Sequence, residues 1–283
     1  MAMSKRDFRK ESGTLSALKE EYEFWENLHK EGDGLDLRYA RDLPDDTPEF
    51  ILDLLARFEE DVTDFCFSGA GGRVLDAGCG NGNLLMRAIR MFPQCHMSYV
   101  GMDFSKNMLR MAATRSADVK NVSLSQGCIN RLPFKDEAFD QVISSGVITC
   151  LSSVEEAADS LAEFHRVLAP GGTLVVDFFN QASHFTMVRK HILREAITPP
   201  EYILPSLFRA MVEDAGFQVQ AYRGFDYKPY QGYLFMSRWA GIIDPGFVQE
   251  KLSRLIETKL VQRLPWVNLL GYRIYIRCTK AQE

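Results

Sequence analysis

The chain has 283 residues, of which 46% are hydrophobic, with a formal charge of −5 and a sequence pI near 5.7. This length and apolar content are enough for one large α/β domain with additions. The acidic balance gives no overall attraction to nucleic acid, and no stretch reaches the roughly 18 to 20 apolar residues of a membrane span, so we expect neither DNA binding nor membrane insertion.

The first seventy residues predict an acidic, helical segment. Apolar residues around Tyr22 and Trp25 recur at three- and four-residue spacing, as on one face of an amphipathic helix. A second helix is predicted to begin at Thr47, an N-cap hydroxyl followed by a proline. We interpret residues 1–70 as an N-terminal helical cap.

From residue 73 onward, short β-prone runs alternate with helical runs. Strands are predicted at 73–76, 98–102, 122–126, 139–144 and 173–178, and helices at 84–92, 106–115 and 154–168. This alternation is typical of a doubly wound, mostly parallel sheet with helices on both faces. A helix at 205–217, a strand at 218–225 and a final strand within 271–283 complete an α/β fold. The predicted core covers 71–228, and a helical lid insertion, 229–270, precedes the last strand.

Six cysteines are scattered along the chain without the CxxC spacing of metal or redox sites. Most lie in apolar stretches, where a free thiol behaves as a small hydrophobic group. They therefore predict reduced thiols in a cytoplasmic protein: Cys66, Cys79, Cys95, Cys128, Cys150 and Cys278.

The stretch "VLDAGCGNGNLL", residues 74–85, places three alternating glycines between a strand and a helix. Such a turn brings backbone N–H groups and a helix N-terminus close to a ligand. Dinucleotide loops follow GxGxxG, but Gly78, Gly80 and Gly82 follow GxGxG, and Asp76 precedes them by two residues. The spacing favours S-adenosylmethionine as the ligand, although such glycines can also serve only to relieve strain in the turn.

The end of the next strand supplies a second candidate ligand group. Asp103 lies in "YVGMDFSKNML" at the carboxyl end of the strand, where a carboxylate can accept hydrogen bonds from both hydroxyls of a ribose. The alternative is that Asp103 caps the following helix, a role that Ser105 could also fill.

These features together resemble the class I S-adenosylmethionine-dependent methyltransferases of the methyltransferase type 11 kind, in the branch that includes the ubiquinone and menaquinone C-methyltransferases. The resemblance covers about residues 73–178. It is carried by "VLDAGCGNGNLL", "VGMDFSKNML", "GCINRLPFKDEAFDQVISS" and "EFHRVLAPGGTLVV".

The resemblance implies a set of cofactor-binding residues. Asp103 would hold the ribose hydroxyls, Phe104 and Met108 would pack near the adenine, and Cys128 and Ile129 would flank its edge. Ser144 and Ser145 would lie under the methionine end. The loop itself would hold the methionine part of S-adenosylmethionine through Asp76, Ala77, Gly78, Cys79, Gly80, Asn81 and Gly82.

Two positions depart from the family pattern. Many relatives carry an aspartate where this chain has Cys128, and a thiol accepts hydrogen bonds only weakly, so the Ile129 backbone N–H is expected to carry more of adenine recognition. Many relatives also place histidines where this chain has Thr149 and Cys150, so no general base can be transferred from the family.

The catalytic residue is therefore left unknown by the sequence. Methyl transfer depends largely on positioning, and its site need not contain a strong acid or base. His184, after the fifth strand, is the best candidate base, with a partly exposed helical histidine as the alternative. No acidic partner accompanies His184 and His191, and we predict no metal site.

The insertion before the last strand is rich in aromatic residues. Tyr230, Tyr233 and Trp239 suggest a lid over the substrate, which Tyr22, Trp25 and Tyr39 could close from the N-terminal side. The stripe formed by Val248, Leu252, Leu255, Ile256 and Leu260 fits a helix packed on its own domain. It also fits an apolar roof over a lipophilic substrate, or a membrane-contacting patch with nearby Lys and Arg residues.

Three functions remain open at this point. The leading hypothesis is methylation of oxygen, nitrogen or carbon in a small apolar or aromatic metabolite. A tRNA wobble-base methyltransferase is the second, which the acidic charge and the lack of a basic run disfavour. The third is a non-catalytic subunit that binds S-adenosylmethionine. The oligomeric state is not predicted.

Overall fold

The computed structural model describes residues 49–94, 96–192, 194, 197, 199–227, 246 and 248–281. Eight strands lie within these ranges: β1 (Gly72–Ala77), β2 (Met97–Asp103), β3 (Val122–Gln126), β4 (Phe139–Ser144), β5 (Leu168–Asn180), β6 (Tyr202–Ile203), β7 (Phe217–Phe225) and β8 (Arg273–Lys280). The helices are α1 (Glu49–Phe67), α2 (Asn83–Met91), α3 (Lys106–Arg115), α4 (Val154–Val167), α5 (His184–His191), α6 (Pro205–Asp214), α7 (Val248–Leu255) and α8 (Val261–Arg263).

The strands form one mixed sheet in the order β3-β2-β1-β4-β5-β8-β7. Neighbouring strands from β3 to β5 are parallel, whereas β8 runs antiparallel to both β5 and β7. The predicted doubly wound, mostly parallel α/β fold is thereby confirmed. The two-residue β6, which pairs with the end of β5, was not predicted because two residues carry no readable period.

The alternation of side chains along each strand assigns residues to the two faces of the sheet. On β1, Leu75 and Ala77 belong to the core beneath α4 and α6, and Val74 belongs to the core beneath α1 and α2. Asp76, two residues after Val74, therefore lies on the α1 side. The same rule places Asp177 of β5 with Val175 on that side.

The described part of the predicted N-terminal cap is α1, which packs directly on the sheet. Val62, Cys66 and Phe67 are buried against β1 and β8, and the rings of Phe58 and Phe225 meet edge to face, with centroids 5.1 Å apart. The boundaries at 70, 228 and 270 stay predictions.

The described part of the insertion before β8 is helical. Its apolar stripe faces outward, whereas one interpretation of the sequence was that the stripe packs on the domain. Val248, Leu252 and Leu255 are exposed, and Ile256 is partly buried. Leu260 is exposed as well, so the predicted inward-facing stripe was wrong for every member except Ile256. Polar side chains of the opposite face are buried instead, because they hydrogen-bond to backbone N–H groups at the end of β7.

None of the described helices is long and apolar enough to cross a membrane. The described cysteines are free thiols, and Cys66, Cys79 and Cys278 are buried. Cys95 lies outside the described residues.

Candidate functional site

The glycine-rich turn after β1 uses its glycines for two different purposes. All three have positive φ, at 89° for Gly78, 54° for Gly80 and 81° for Gly82, which glycine adopts without steric cost. A Cβ on Gly78 would lie 2.2 Å from Cγ2 of Val147, so this position is fixed by packing. A Cβ on Gly80 would meet nothing within 4 Å. Gly80 therefore faces open space that a ligand can approach.

The N–H groups of this turn are largely used by the protein itself. Those of Gly78 and Cys79 donate to the Met102 carbonyl at 2.7 and 2.9 Å, and that of Gly82 donates to Cys79 at 3.1 Å. Gly80 N–H donates to Asp103 Oδ2 at 2.9 Å. We expected these groups to face the ligand. Because these N–H groups already donate within the protein, they are not available to a pyrophosphate, which needs several N–H donors. A cationic sulfonium ligand does not need them.

Asp103 and Ser105 have distinct roles at the end of β2. Ser105 caps α3, because its Oγ accepts the Met108 N–H at 3.2 Å. Asp103, 8% exposed, accepts the Ser105 N–H through Oδ1 at 2.9 Å as well as that of Gly80. A carboxylate offers about four acceptor sites, so two backbone bonds are compatible with binding ribose hydroxyls. Binding of the ribose by Asp103 stays a prediction. The side chain that caps α3 is that of Ser105, not that of Asp103.

The expected adenine-side residues lie on adjacent segments after β2 and β3. Met108 and Ile129 are buried, Phe104 is half-buried, and Cys128 is exposed. The Phe104 carbonyl accepts a hydrogen bond from Gln126 Nε2 at 2.9 Å, which ties the segment after β2 to β3. This arrangement fits an apolar slot for a planar group.

The two serines at the end of β4 point to opposite faces of the sheet. Ser144 is fully buried and donates to the Ala77 carbonyl at 3.0 Å, so its hydroxyl joins β4 to β1. Ser145 lies on the α1 side, with its Oγ 2.8 Å from the Tyr275 hydroxyl and 3.4 Å from Nη2 of Arg273. Of the two, Ser145 reaches the open site.

A buried ion pair lies beside Ser145. Arg273 Nε donates to Asp177 Oδ2 at 2.5 Å, and the other carboxylate oxygen accepts the Gly146 N–H at 2.6 Å. Burial by itself disfavours the guanidinium cation, but the Asp177 carboxylate raises the pKa of Arg273. The guanidinium also lies 5.0 Å from the centroid of the Tyr275 ring. Arg273 is thereby held in one orientation as a permanent cation.

Asp76 is buried at the other side of the site. Its Oδ2 accepts a short hydrogen bond from the Tyr99 hydroxyl. Desolvation raises the pKa of Asp76 to about 7, and the bond from Tyr99 only partly opposes that rise. Asp76 can therefore change protonation near neutral pH.

Asp76, Ser145 and Arg273 line an open pocket of about 270 Å³ at the carboxyl ends of β1 and β4. Gly80, Asp103 and the expected adenine-side residues are not among the described residues that line it. Phe58 and Glu59 of α1 form one wall, and Leu84 and Arg87 of α2 form another. The floor contains Asp76, Gly78, Cys79, Ser145, Gly146, Arg273 and Tyr275. The pocket thus joins predicted loop residues to β8 residues that the sequence did not single out.

Other predicted residues lie elsewhere. His184 is exposed at the first position of α5 and is not among the described residues that line the pocket. Thr149 is buried in the 3-10 helix Ile148–Cys150. The predicted lid residues fall outside the described residues: Tyr22, Trp25, Tyr39, Tyr230, Tyr233 and Trp239.

One residue of the missed ion pair carried a signal in the sequence. Asp177 is the single charged residue within the apolar run "TLVVDFF", where a buried carboxylate needs a partner. Its partner could not be identified in the same way, since Arg273 lies 96 residues away and is brought beside it only by the antiparallel pairing of β5 and β8.

The sheet order, the GxGxG turn and the acidic residue at the end of β2 define the S-adenosylmethionine-dependent methyltransferase fold. The family described as "Methyltransferase domain" matches residues 68–216, just over half of the chain. The chain belongs to this family, which confirms the predicted fold class and S-adenosylmethionine as its cosubstrate.

Individual relatives are similar over part of their length. A demethylmenaquinone methyltransferase from Listeria welshimeri is 40% identical over 108 residues, covering 37% of this chain and 43% of the relative. A Mus musculus protein named "Probable tRNA methyltransferase 9B" is 32% identical over 144 residues, covering 50% of this chain and 30% of the relative. The chain therefore matches less than half the length of either relative.

Among solved structures, an S-adenosylmethionine-dependent methyltransferase from Mesorhizobium loti superposes with a TM-score of 0.53. The superposition covers 80% of this chain and 100% of the other at 17% sequence identity. At that identity the likeness concerns the fold alone.

Proposed function

We propose that this protein transfers the methyl group of S-adenosylmethionine to a small aromatic metabolite that carries an oxygen substituent. The observation that carries the proposal is the pocket that extends from Gly78 and Cys79 of the glycine turn to Arg273, the cation of the Arg273–Asp177 pair. At about 270 Å³ it is near the lower limit for small-molecule sites, which favours a compact acceptor.

The two ends of the pocket suit different parts of the reaction. At the end lined by Gly78 and Cys79, the pocket can receive the methionine end of the cofactor, which supplies an electrophilic methyl group on a good leaving group. At the far end, the half-buried ring of Phe58 can pack against an aromatic acceptor. Ser145 and Arg273 can donate hydrogen bonds to its oxygen.

Arg273 is suited to orient the acceptor because its own position is already fixed. The bond to Asp177 and the ring of Tyr275 hold the guanidinium, so little rotamer freedom is lost when an acceptor binds. A nucleophile held in line with the sulfonium needs positioning more than proton transfer. We therefore assign Arg273 a positioning role and leave the base unassigned.

A tRNA substrate is the second candidate, and the similarity to the mouse protein named as a tRNA methyltransferase supports it. The charges around the pocket disfavour it. Arg87 is paired with Glu59, and Arg273 is paired with Asp177, so two cations of the pocket wall are neutralised. Binding of a phosphate backbone depends on cations that can displace counterions. A non-catalytic role is the third candidate.

The test is formation of S-adenosylhomocysteine with two kinds of acceptor: a panel of hydroxylated aromatic compounds, including demethylmenaquinol analogues, and unmodified tRNA. We expect turnover with members of the first set only. Turnover with tRNA alone would establish the second candidate. Binding of S-adenosylmethionine without turnover on either acceptor would leave the non-catalytic role.

Two arginine variants on the same strand sharpen the test. Arg273→Lys keeps the charge beside Asp177 but loses the planar donor edge, so we expect KM for the acceptor to rise about tenfold or more, while affinity for S-adenosylhomocysteine stays unchanged. Arg277→Lys is the matched control, since Arg277 donates to the Ser68 carbonyl outside the pocket lining. Equal kinetic effects of the two substitutions would contradict the role of Arg273.

A further inference from the structure

An exposed apolar surface runs along the helical segment between β7 and β8. Val248, Leu252, Leu255 and Leu264 are 62%, 54%, 47% and 40% exposed, and Leu260 is 38% exposed. We call these five residues the outer stripe. Trp266, 60% exposed, follows directly after it. Single exposed apolar residues are normal, but a row of five with a neighbouring tryptophan indicates a contact surface.

A π-helical turn keeps this stripe on one face. Residues 248, 252 and 255 share a face of α7 at α-helical spacing. Leu260 follows Leu255 by five positions, and in a regular α-helix this spacing would turn Leu260 away from the face of the other residues. The π-helical segment Ile256–Leu260 has a wider turn and returns Leu260 to the same face. Leu264 then follows one turn later.

The opposite face of the segment is anchored by buried polar bonds. Ser253 Oγ accepts the Tyr227 N–H at 3.0 Å, and Glu257 Oε1 accepts the Asp226 N–H at 2.9 Å. Arg254 bonds to Asp61 on α1. Rolling the outer stripe inward would leave these buried groups without partners, which is costly. The stripe is therefore fixed in its outward orientation.

Basic side chains line one edge of the outer stripe. Lys251, Lys259 and Arg263 are exposed, and the acidic Glu257 is buried on the inner face. Residues 248–270 contain four basic and two acidic residues, although the whole chain has a formal charge of −5. Leucines, a tryptophan and flanking cations are the composition of helices that lie in the plane of an anionic membrane surface.

We propose that the outer stripe and Trp266 dock this protein on an anionic lipid bilayer, with α7 lying along the interface. The leucines enter the boundary between headgroups and acyl chains, and the three cations contact lipid phosphates. The charge pattern favours lipid over a second copy of the chain, because a symmetric contact would bring the same cations of both copies together. The inner face keeps its bonds to α1 and β7 in the docked state.

The test is cosedimentation of the full chain with vesicles of phosphatidylcholine, with or without phosphatidylglycerol. We expect binding to the mixed vesicles, weakening as salt is raised. Lys251→Gln with Lys259→Gln should lower that affinity about 30-fold, roughly fivefold for each charge. Leu252→Ser with Leu255→Ser should lower it by about five- to tenfold for each leucine, because each is about half exposed before docking.

Matched controls come from the opposite side of the sheet. Leu207→Ser changes a leucine of α6 that is 43% exposed, and Lys135→Gln removes an exposed lysine; neither should change vesicle binding. Melting temperature and calorimetry with S-adenosylhomocysteine check that each variant is folded. Equal binding of wild type and leucine variants would overturn the proposal. Absence of vesicle binding would also overturn it. If sedimentation velocity then showed a dimer that the leucine substitutions dissociate, the outer stripe would be an interface between two copies of the chain.

Discussion

Replacing Asp103 with alanine tests the central assignment of the cofactor site. If the Asp103 carboxylate accepts the ribose hydroxyls, its removal eliminates charge-assisted hydrogen bonds, each worth roughly 1.5 to 3 kcal/mol. We expect the affinity for S-adenosylhomocysteine, measured by titration calorimetry, to fall by at least about 10- to 100-fold, the range for the loss of one such bond. Cys128→Ala removes only an exposed thiol and should change the affinity by much less.

The structure adds a second effect that the experiment must separate. Asp103 also accepts the N–H groups of Gly80 and Ser105, so Asp103→Ala loosens the turn and lowers stability. Ser105→Ala provides the matched control, since it removes the α3 cap at a cost of about 1 kcal/mol without removing a ribose acceptor. If Ser105→Ala weakens ligand binding as much as Asp103→Ala, local order rather than ribose recognition explains the effect, and the reasoning fails.

Two further predictions concern the turn and the acid beside it. Gly78→Ala should lower the melting temperature strongly, because its Cβ would collide with Val147, whereas Gly80→Ala should fold with a small loss of stability and bind S-adenosylhomocysteine poorly in calorimetry. If Gly80→Ala bound normally, its open face would not be the ligand side. Burial keeps Asp76 protonated up to about pH 7 in the folded protein, whereas the same carboxyl ionises near pH 4 in the unfolded chain. The contribution of Asp76 to stability is therefore present below pH 4 and is lost as the pH rises to 7. Urea unfolding should show that loss, on the order of 4 kcal/mol, in the wild type and not in Asp76→Asn; equal pH slopes for both proteins would contradict it.

The core of the fold was predictable because each of its signals is local. The strand–helix alternation between 73 and 178 reflects apolar periods within single elements, and the structure has β3, β4 and α3 at the predicted residues. Glycine spacing and an acid at a strand end are equally local. The match of this stretch to a known family follows from the same short-range pattern.

The other half of the pocket depends on contacts that no local pattern encodes. Asp177 meets Arg273 through strand pairing across 96 residues, and the Ser145–Tyr275 contact spans 130. The helix before β8 was misjudged for a related reason. Its periodicity identified an apolar face, but backbone N–H groups at the end of β7 recruit the polar face, including Glu257, to the interior.

The arrangement of charges in the pocket follows from one rule of strand geometry and has a chemical consequence. Side chains alternate along a strand, so Asp76, Asp177 and Arg273 all project to the α1 face of the sheet. There Arg273 is neutralised by Asp177, and Arg87 by Glu59. A sulfonium cofactor is itself a cation, and an unpaired arginine in a poorly solvated site would repel it. Pairing with Asp177 removes that repulsion and leaves N–H donors of Arg273 for the acceptor-orienting role that we propose. Because the pKa of Asp76 is raised to about 7, we expect a bound cationic ligand to favour its ionised form.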